Sequence, residues 1–432
     1  MARFTAGAPT GAALQQLEPL LRAAVFKPAN AIVGLLLQQA VDRVDAGYQP
    51  KPGEFRKQRV CLTVDCLFGS FEIQRDYYYN VRRKRGHYPA DSALGLENGL
   101  TPGLARLVCL EGADTAGFDL AARHLAETGG IRIGARQIQR LVQRIGPEAQ
   151  RWQEREATPG STDAEVLYVS GDGTGVPMRR EELEGRKGKA DDGKARTRQA
   201  YLGCVFTQHT RDEKGRPVRD AHSTTYTSSF APIDEFGPQL RREALRRGMG
   251  AARQTVLLID GANGLENMGL KCFAGATQIV DFFHAMEHAG EVVSALLGPT
   301  HPEHKKRRRH WAKRLLKDGV EALIAAARKE GSGTAAEPAV EQALGYFVRN
   351  VERMQYGTFR SKGYFIGSGV VEAGCKAVIG ARCKQSGMRW SVAGADNVLA
   401  LRCIHHSGRT DEYWKHHLNA RAAENDQLHL TA

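Results

Sequence analysis

Two strand-length runs in this chain, EVLYVS and TVLLI, are each followed by an acid set among glycines: Asp172 in SGDGTGVP and Asp260 in LLIDGANG. TVLLI is a continuous apolar run, the kind found in strands buried on both faces. A third acid, Glu372 in IGSGVVEAGCK, opens a run with helical period. A carboxylate at the end of a buried strand packs poorly, but it is a good ligand for a hard divalent cation. Such ions take oxygen donors, and phosphate needs open room beside them. Glycines keep side chains out of that room. The pattern predicts metal-dependent phosphoryl transfer on nucleic acid.

The formal charge of +13 and the pI near 9.4 favour a polyanionic partner, most simply DNA or RNA. With 432 residues, 42% of them hydrophobic, the chain has material for two or three domains and a sizeable core. The longest clean apolar run, AIVGLLL at 31 to 37, is shorter than a membrane span needs. Met1 to Thr10 has no apolar signal core. These readings predict a cytoplasmic, nucleoid-associated protein with no membrane partner. The eight cysteines are scattered without a C-x-x-C pair, which argues against a zinc ribbon or a disulfide framework and for reduced, buried thiols.

Residues 1–50 read as a helical region, with two helices over 12 to 46 and the second capped by Asn30. Residues 51–155 open with a hairpin signal: Val60, Leu62 and Val64 alternate with polar neighbours, Gly69-Ser70 turns, and Phe71, Ile73, Tyr77 and Tyr79 continue at period two. Two short helices about Gly129-Gly130 then resemble a helix-turn-helix, with Arg132, Arg136, Arg140 and Arg144 on one face. Arg136 and Arg140 are candidate DNA contacts. Helical hairpins that never touch DNA have the same pattern.

From 160 to 300 the order of candidate elements is β-β-β-α-β-α-β-α. The strands are EVLYVS, AYLGCVF (200–206), HSTTYTSS (222–229), TVLLID and TQIVDFF (277–283), and 179–198 reads as an exposed hairpin loop. That order suits an α/β fold with an RNase H-like catalytic core. Sheets of this class place ligands at the carboxyl ends of strands. Residues 301–360 read as a basic helical insertion, 361–405 as the last part of the core carrying Glu372, and 406–432 as a mobile tail. The predicted fold class is therefore α/β: an RNase H-like core with an all-helical insertion, plus a mainly α N-terminal DNA-binding region containing a β-hairpin. Each acid taken alone has an ordinary explanation, Asp-Gly turns for Asp172 and Asp260 and a pair with Lys376 for Glu372. Asp281 is the competing carboxylate. Lys305, Lys306, Arg307, Arg308 and Arg309 head a cationic helix suited to phosphate contact. Arg382, Lys384, Arg389 and Trp390, with Lys376, follow Glu372 closely enough to flank the same substrate.

The runs DGTGVP, LIDGA, DFFHAMEH and GSGVVEAGCKAVIGARCKQSGMRWS resemble bacterial insertion-sequence transposases of the DDE class, specifically the ISKra group, with Mutator-like relatives. The resemblance covers roughly residues 55 to 405. It implies a DNA transposase that cleaves and joins strands of an insertion sequence. Asp172, Asp260 and Glu372 would be its catalytic, metal-binding triad for two Mg²⁺ or Mn²⁺ ions. It also implies an Asp-x-x-His signature at Asp281 and His284, a DNA contact by Trp311, double-stranded DNA at transposon ends and target, and a homodimer or higher oligomer. Two features depart from that pattern. Tyr79 to His87 lacks the cysteines of a zinc knuckle, and Gly264-Leu265 stand where relatives carry tryptophan.

Three other readings compete. An RNase H-like nuclease would cut without joining, and a catalytically dead relative would only bind DNA. The string His284-Ala285-Met286-Glu287-His288 also matches an H-x-x-E-H zinc peptidase, a reading that leaves the charge and the three acids unexplained. No P-loop is present, since Gly188-Lys189 is followed by Ala190, so ATP is not expected.

Overall fold

The structure, a computed structural model, describes residues 10–156, 158–188, 193–261 and 263–430, with backbone alone for Asn263 and 422–430. The expectations for Met1 to Ala8 and Pro9, for the loop tip at 189–192 and for the last two residues lie outside the described residues. The chain divides into two compact units, Met1–Glu148 with Thr410–Ala432, and Ala149–Arg409.

In the first unit, residues 12 to 46 form one helix rather than two: α1, Gly11–Gly47, starts where the Thr10 hydroxyl accepts the Ala13 N–H at 3.2 Å. Asn30 is not a cap, because its amide donates to the Ser70 carbonyl at 2.9 Å. By length and composition α1 could cross a membrane, which the run AIVGLLL alone did not show. The hairpin is as expected, β1 (Glu54–Cys66) and β2 (Gly69–Asn80), with Val64 opposite Phe71 and β3 (Arg85–His87) adding a third strand. Val41 of α1 packs with Val64, Ile73, Ala90 and Leu96. After α2 (Pro89–Ala93) and α3 (Pro102–Asp114) comes the helix pair α4 (Phe118–Gly129) and α5 (Ala135–Glu154). Gly130 sits in the left-handed region (φ 67°), and its N–H caps α4.

The expected mobile tail is instead a helix, Thr410–Leu430, whose Tyr413, Trp414 and His417 are buried. The buried His417 meets half-buried Glu148 through Nδ1 at 2.8 Å, and its Nε2 lies 3.4 Å from buried Glu97, so the segment has both an apolar stripe and ionic partners.

The second unit is a mixed five-stranded sheet with helices on both faces. Its strands are β4 (Val166–Pro177), β5 (Thr197–Gln208), β8 (Thr225–Ser229), β9 (Gln254–Ile259) and β10 (Thr277–Val280), ordered β10-β9-β4-β5-β8. A short separate pair, β6 (Thr210–Arg211) and β7 (Pro217–Val218), lies between β5 and β8 in sequence. β4, β9 and β10 run parallel, while β5 is antiparallel to both β4 and β8. Period two sorts the side chains. Val166, Tyr168, Val256 and Leu258 enter one core, and Leu167, Val169, Leu257 and Ile259 the other.

The second of these cores is closed by α6 (Ile233–Arg246) and α7 (Asn263–Cys272). The first is closed by α8 (Phe282–Leu297) and a helical segment, α9 (His304–Lys317), α10 (Val320–Gly331), α11 (Glu337–Arg349) and α12 (Tyr356–Ser361). The chain then returns through α13 (Gly369–Gly374), a π-helical stretch over Cys375–Gly380, α14 (Ala381–Cys383) and α15 (Val392–His406). TQIVDFF is not a strand throughout. It ends at Val280, because the Asp281 carboxylate accepts the His284 N–H at 2.7 Å and starts α8.

Candidate functional site

The site forms where the sheet loses a parallel contact. Asp172 was expected at the end of a strand, but β4 continues to Pro177 with Asp172 opposite Leu202 of β5. What ends is the pairing of β4 with β9, whose last partners are Gly171 and Ile259. Asp172 and Asp260 therefore each stand one residue past the last paired position of adjacent parallel strands.

Burial pushes the Asp172 carboxyl up from its ordinary value. The Gly173 N–H, donating at 2.6 Å, opposes this, the Asp260 charge adds to it, and hydrogen bonding to Cys375 and the charge of His284 work against it. Two like charges this close repel unless a proton or a cation sits between them. Gly261 beside Asp260 has a structural reason to be glycine: an added Cβ would meet the Tyr346 hydroxyl at 2.5 Å.

Asp281 is fully buried at the N-cap of α8. One carboxylate oxygen accepts the His284 N–H and lies 3.3 Å from His284 Nδ1; the other accepts the Ser368 N–H. Burial alone would raise this carboxyl, but the bonds from His284 and Ser368 outweigh it and hold the group below its ordinary value. Interaction with Asp281 raises His284 to about 9 against the opposing effect of burial, and the charges of Asp260 and Glu287 add to the rise. The imidazolium thus faces the aspartates as a cation at neutral pH.

Glu372 lies on α13, which packs against β4 and β5, and its Oε1 accepts the Ser368 hydroxyl at 2.8 Å. The structure therefore joins Asp172 with Asp260, and Glu372 with Asp281 through Ser368. Among the described residues, no group of three or more His, Cys, Asp or Glu side chains is disposed to hold a metal ion. Asp172 and Asp260 still suit one: they offer hard oxygen donors on adjacent strands, and the Asp260 charge raises the Asp172 carboxyl, a repulsion that a divalent cation relieves. Glu372 would complete the set only by leaving Ser368.

Sequence reasoning missed Ser368 and Cys375. Both signals were present: Ser368 lies inside the Gly-Ser-Gly run, and Cys375 is one turn beyond Glu372. The segment also needs close packing, since a Cβ on Gly374 would come 2.7 Å from the Tyr226 ring and 3.0 Å from Leu202. The buried Arg402 guanidinium donates to the Val378 carbonyl at 2.7 Å and to that of Ala377 at 2.6 Å, inside the π-helical stretch. A π-turn leaves such carbonyls without their usual α-helical donors, and π-turns concentrate at functional sites.

The candidate DNA contacts divide by burial. Trp311 is 2% exposed and belongs to the core beneath α9, so it cannot meet DNA there; its large apolar ring is more stable inside. Arg382 is wholly buried over the Trp390 ring at 5.0 Å, and burial brings its guanidinium down to about 10. Trp390 is buried too, with its indole N–H on the Cys383 carbonyl and its backbone bonded to Pro177 and Arg179 at the end of β4. These three are packing residues, which corrects the surface role expected of them. Arg307 is half-buried and paired with Glu330. Arg136, Arg140, Lys305, Lys306, Arg308, Arg309, Lys376, Lys384 and Arg389 are exposed, and Lys384 reaches the Thr174 hydroxyl on β4.

The H-x-x-E-H string does not converge on one point. His284 is held by Asp281, while His288 meets Glu291 at 2.8 Å and stacks on Tyr346 with centroids 3.6 Å apart.

No family model matches the chain, and no curated protein matches it. Among solved structures, it is similar to a Drosophila P element transposase strand transfer complex at 11% identity and a TM-score of 0.23, covering 74% of this chain and 80% of that one. It is similar also to NurA crystallised with manganese, at 12% identity and a TM-score of 0.11, covering 63% of this chain and 60% of that one. Likenesses of this size leave the argument with the site itself.

Proposed function

We propose that the second unit is an RNase H-like catalytic core and that the protein is a DDE-type DNA transposase, cleaving and joining strands at the ends of an insertion sequence. The observation that carries this reading is the position of Asp172 and Asp260, each one residue past the last pairing of β4 with β9, while α13, which carries Glu372, packs against β4 and β5. The strand order β10-β9-β4-β5-β8, with β5 antiparallel to the other four, supports an RNase H-like reading. The helices from α9 to α12 stand between Asp260 and Glu372 in sequence, as an all-helical insertion should.

Asp172 and Asp260 would hold Mg²⁺ or Mn²⁺, and Glu372 would join them once released from Ser368. When bound, the metal lowers the pKa of water or a 3′-hydroxyl and stabilises the leaving oxygen. The chain's own residues do the rest. Asp281 fixes His284 and the Gly367–Gly369 turn. The His284 cation faces a non-bridging phosphate oxygen of the DNA. Lys384 and Arg389 neutralise flanking phosphates, and the exposed cations of α9 hold the duplex further out. Bringing together two ends of one element calls for two or more copies.

The test is an assay on duplexes carrying the DNA that flanks this reading frame, with Mg²⁺ and then Mn²⁺, scored for both nicking and joined product. Joined product that disappears in Asp172→Asn and Asp260→Asn supports the reading. Cutting without joining makes the protein an RNase H-like nuclease. Tight binding with neither product, in wild type, makes it a DNA-binding relative with a dead core.

A further inference from the structure

We propose that the outward face of α1 is a dimer seam that takes the same helix, antiparallel, from a second copy of this chain. The inference stands apart from the chemistry of the acidic site.

The rotation of α1 is fixed by its inner face. Asn30 donates to the Ser70 carbonyl, Gln38 exchanges bonds with the Gln74 N–H and carbonyl at 2.7 and 2.9 Å, and Asp45 accepts the Asp76 N–H at 2.9 Å. These polar side chains, two turns apart, occupy backbone groups along β2. The opposite face must therefore point away from the unit.

That opposite face is apolar. Of the sixteen large hydrophobic side chains exposed among the described residues, seven lie on α1, which makes it the main unpartnered apolar surface. Leu14, Leu21, Val25, Ile32 and Leu35 are between 40% and 68% exposed. From Leu21 the steps to Val25, Pro28, Ile32 and Leu35 alternate four and three, the repeat by which two helices interlock. These five side chains leave roughly 500 Å² uncovered per copy, or about 1,000 Å² across a pair, the area at which a specific interface begins.

The occupant follows from the polar positions. A bilayer requires an apolar surface all round, and α1 carries Asn30, Gln38 and Asp45 on its bound face. A parallel pair would set Glu18, the remaining seam position, against its own copy. An antiparallel pair centred near Val25 sets Glu18 beside Ile32, Leu21 beside the small ring of Pro28, Leu14 beside Leu35, and Val25 beside Val25. The seam is then self-complementary, as a two-fold interface must be.

Sedimentation velocity on the full chain tests this, with circular dichroism as the check on folding. Wild type should have twice the chain mass, and Val25→Glu with Ile32→Glu should halve it while helicity is kept. If the double variant unfolds, Val25→Cys decides: mild oxidation should trap a covalent dimer, and Leu14→Cys should not. A monomeric wild type, a dimer that survives the double substitution, or a cross-link at position 14 in place of 25 would overturn the seam. So would a monomer that floats with phosphatidylcholine vesicles and is released by the double substitution, since the face would then be lipid-binding.

Discussion

Asp172 and Asp260 occupy equivalent positions on neighbouring parallel strands, each one residue past the last paired position. Burial and the nearby Asp260 charge both raise the Asp172 carboxyl. Removing one charge should relax the metal-free protein and abolish its response to metal. Asp260→Asn is expected to raise the thermal midpoint without metal, to erase the further rise that Mn²⁺ gives wild type, and to slow cleavage by about 10²–10⁴-fold, or roughly 3–5 kcal/mol of barrier. Differential scanning calorimetry with and without Mn²⁺, alongside single-turnover cleavage, measures all three. A variant still stabilised by Mn²⁺ as much as wild type would place the metal elsewhere.

Asp281 supports the same edge from inside. It caps α8 and accepts the Ser368 N–H, so its loss leaves two backbone donors without their partner. Asp281→Ala should cost roughly 2–4 kcal/mol from the lost cap and the unsatisfied buried groups. Urea denaturation measures it. A loss below about 0.5 kcal/mol, the size typical of a surface change, would show that the cap is replaceable.

The exposed cations on α9 should act through charge alone. Each phosphate contact contributes about 0.9 to the log–log salt slope, so Ala at Lys305, Lys306, Arg308 and Arg309 should flatten it by up to about 3 to 4. Anisotropy titrations of a labelled duplex across a salt series give the slope. An unchanged slope removes this face from the DNA.

Much of the core was legible because strand alternation and buried apolar runs are local signals. TVLLI could be little other than a buried strand, and the position of Asp260 followed from it. The errors arose where a local signal has two readings. Asn30 looks like a helix cap, but its amide donates to β2, and sequence cannot show an acceptor forty residues away. Trp311 was a substrate contact only by the family resemblance, and Arg382 and Trp390 by their closeness in sequence to Glu372; tertiary packing claimed all three instead. The segment after His406 looked like a tail because its apolar stripe is thin, and its partners, buried Glu97 and half-buried Glu148, lie some three hundred positions earlier. Glu372 was found as a residue but not as a geometry, since its bond to Ser368 depends on rotamers that no spacing encodes.

Gly374 tests the fit of the helix that carries Glu372. The missing Cβ is what lets α13 approach the Tyr226 ring and Leu202. Gly374→Ala should cost about 1–3 kcal/mol, the usual range for forced overpacking, even though alanine is the better helix former. Thermal melts of the variant give the sign directly, and a gain in stability would mean that the contact yields without strain.

Asp396, on α15, provides the pH dependence. Burial lifts its carboxyl to about 7; the charge of Glu154 adds to the rise, while the Phe230 N–H and Arg198 only partly oppose it. The folded state therefore holds this proton far more tightly than the unfolded chain, whose aspartate titrates near the ordinary value of 3.8. The contribution to stability is complete below 3.8 and is lost as pH rises through about 7. Asparagine mimics the protonated acid at every pH. Asp396→Asn should thus match wild type near pH 4 and exceed it increasingly towards pH 8, by about 2–4 kcal/mol at most. Urea midpoints at the two pH values measure the difference. An equal gap at both would show that Asp396 does not titrate across this window.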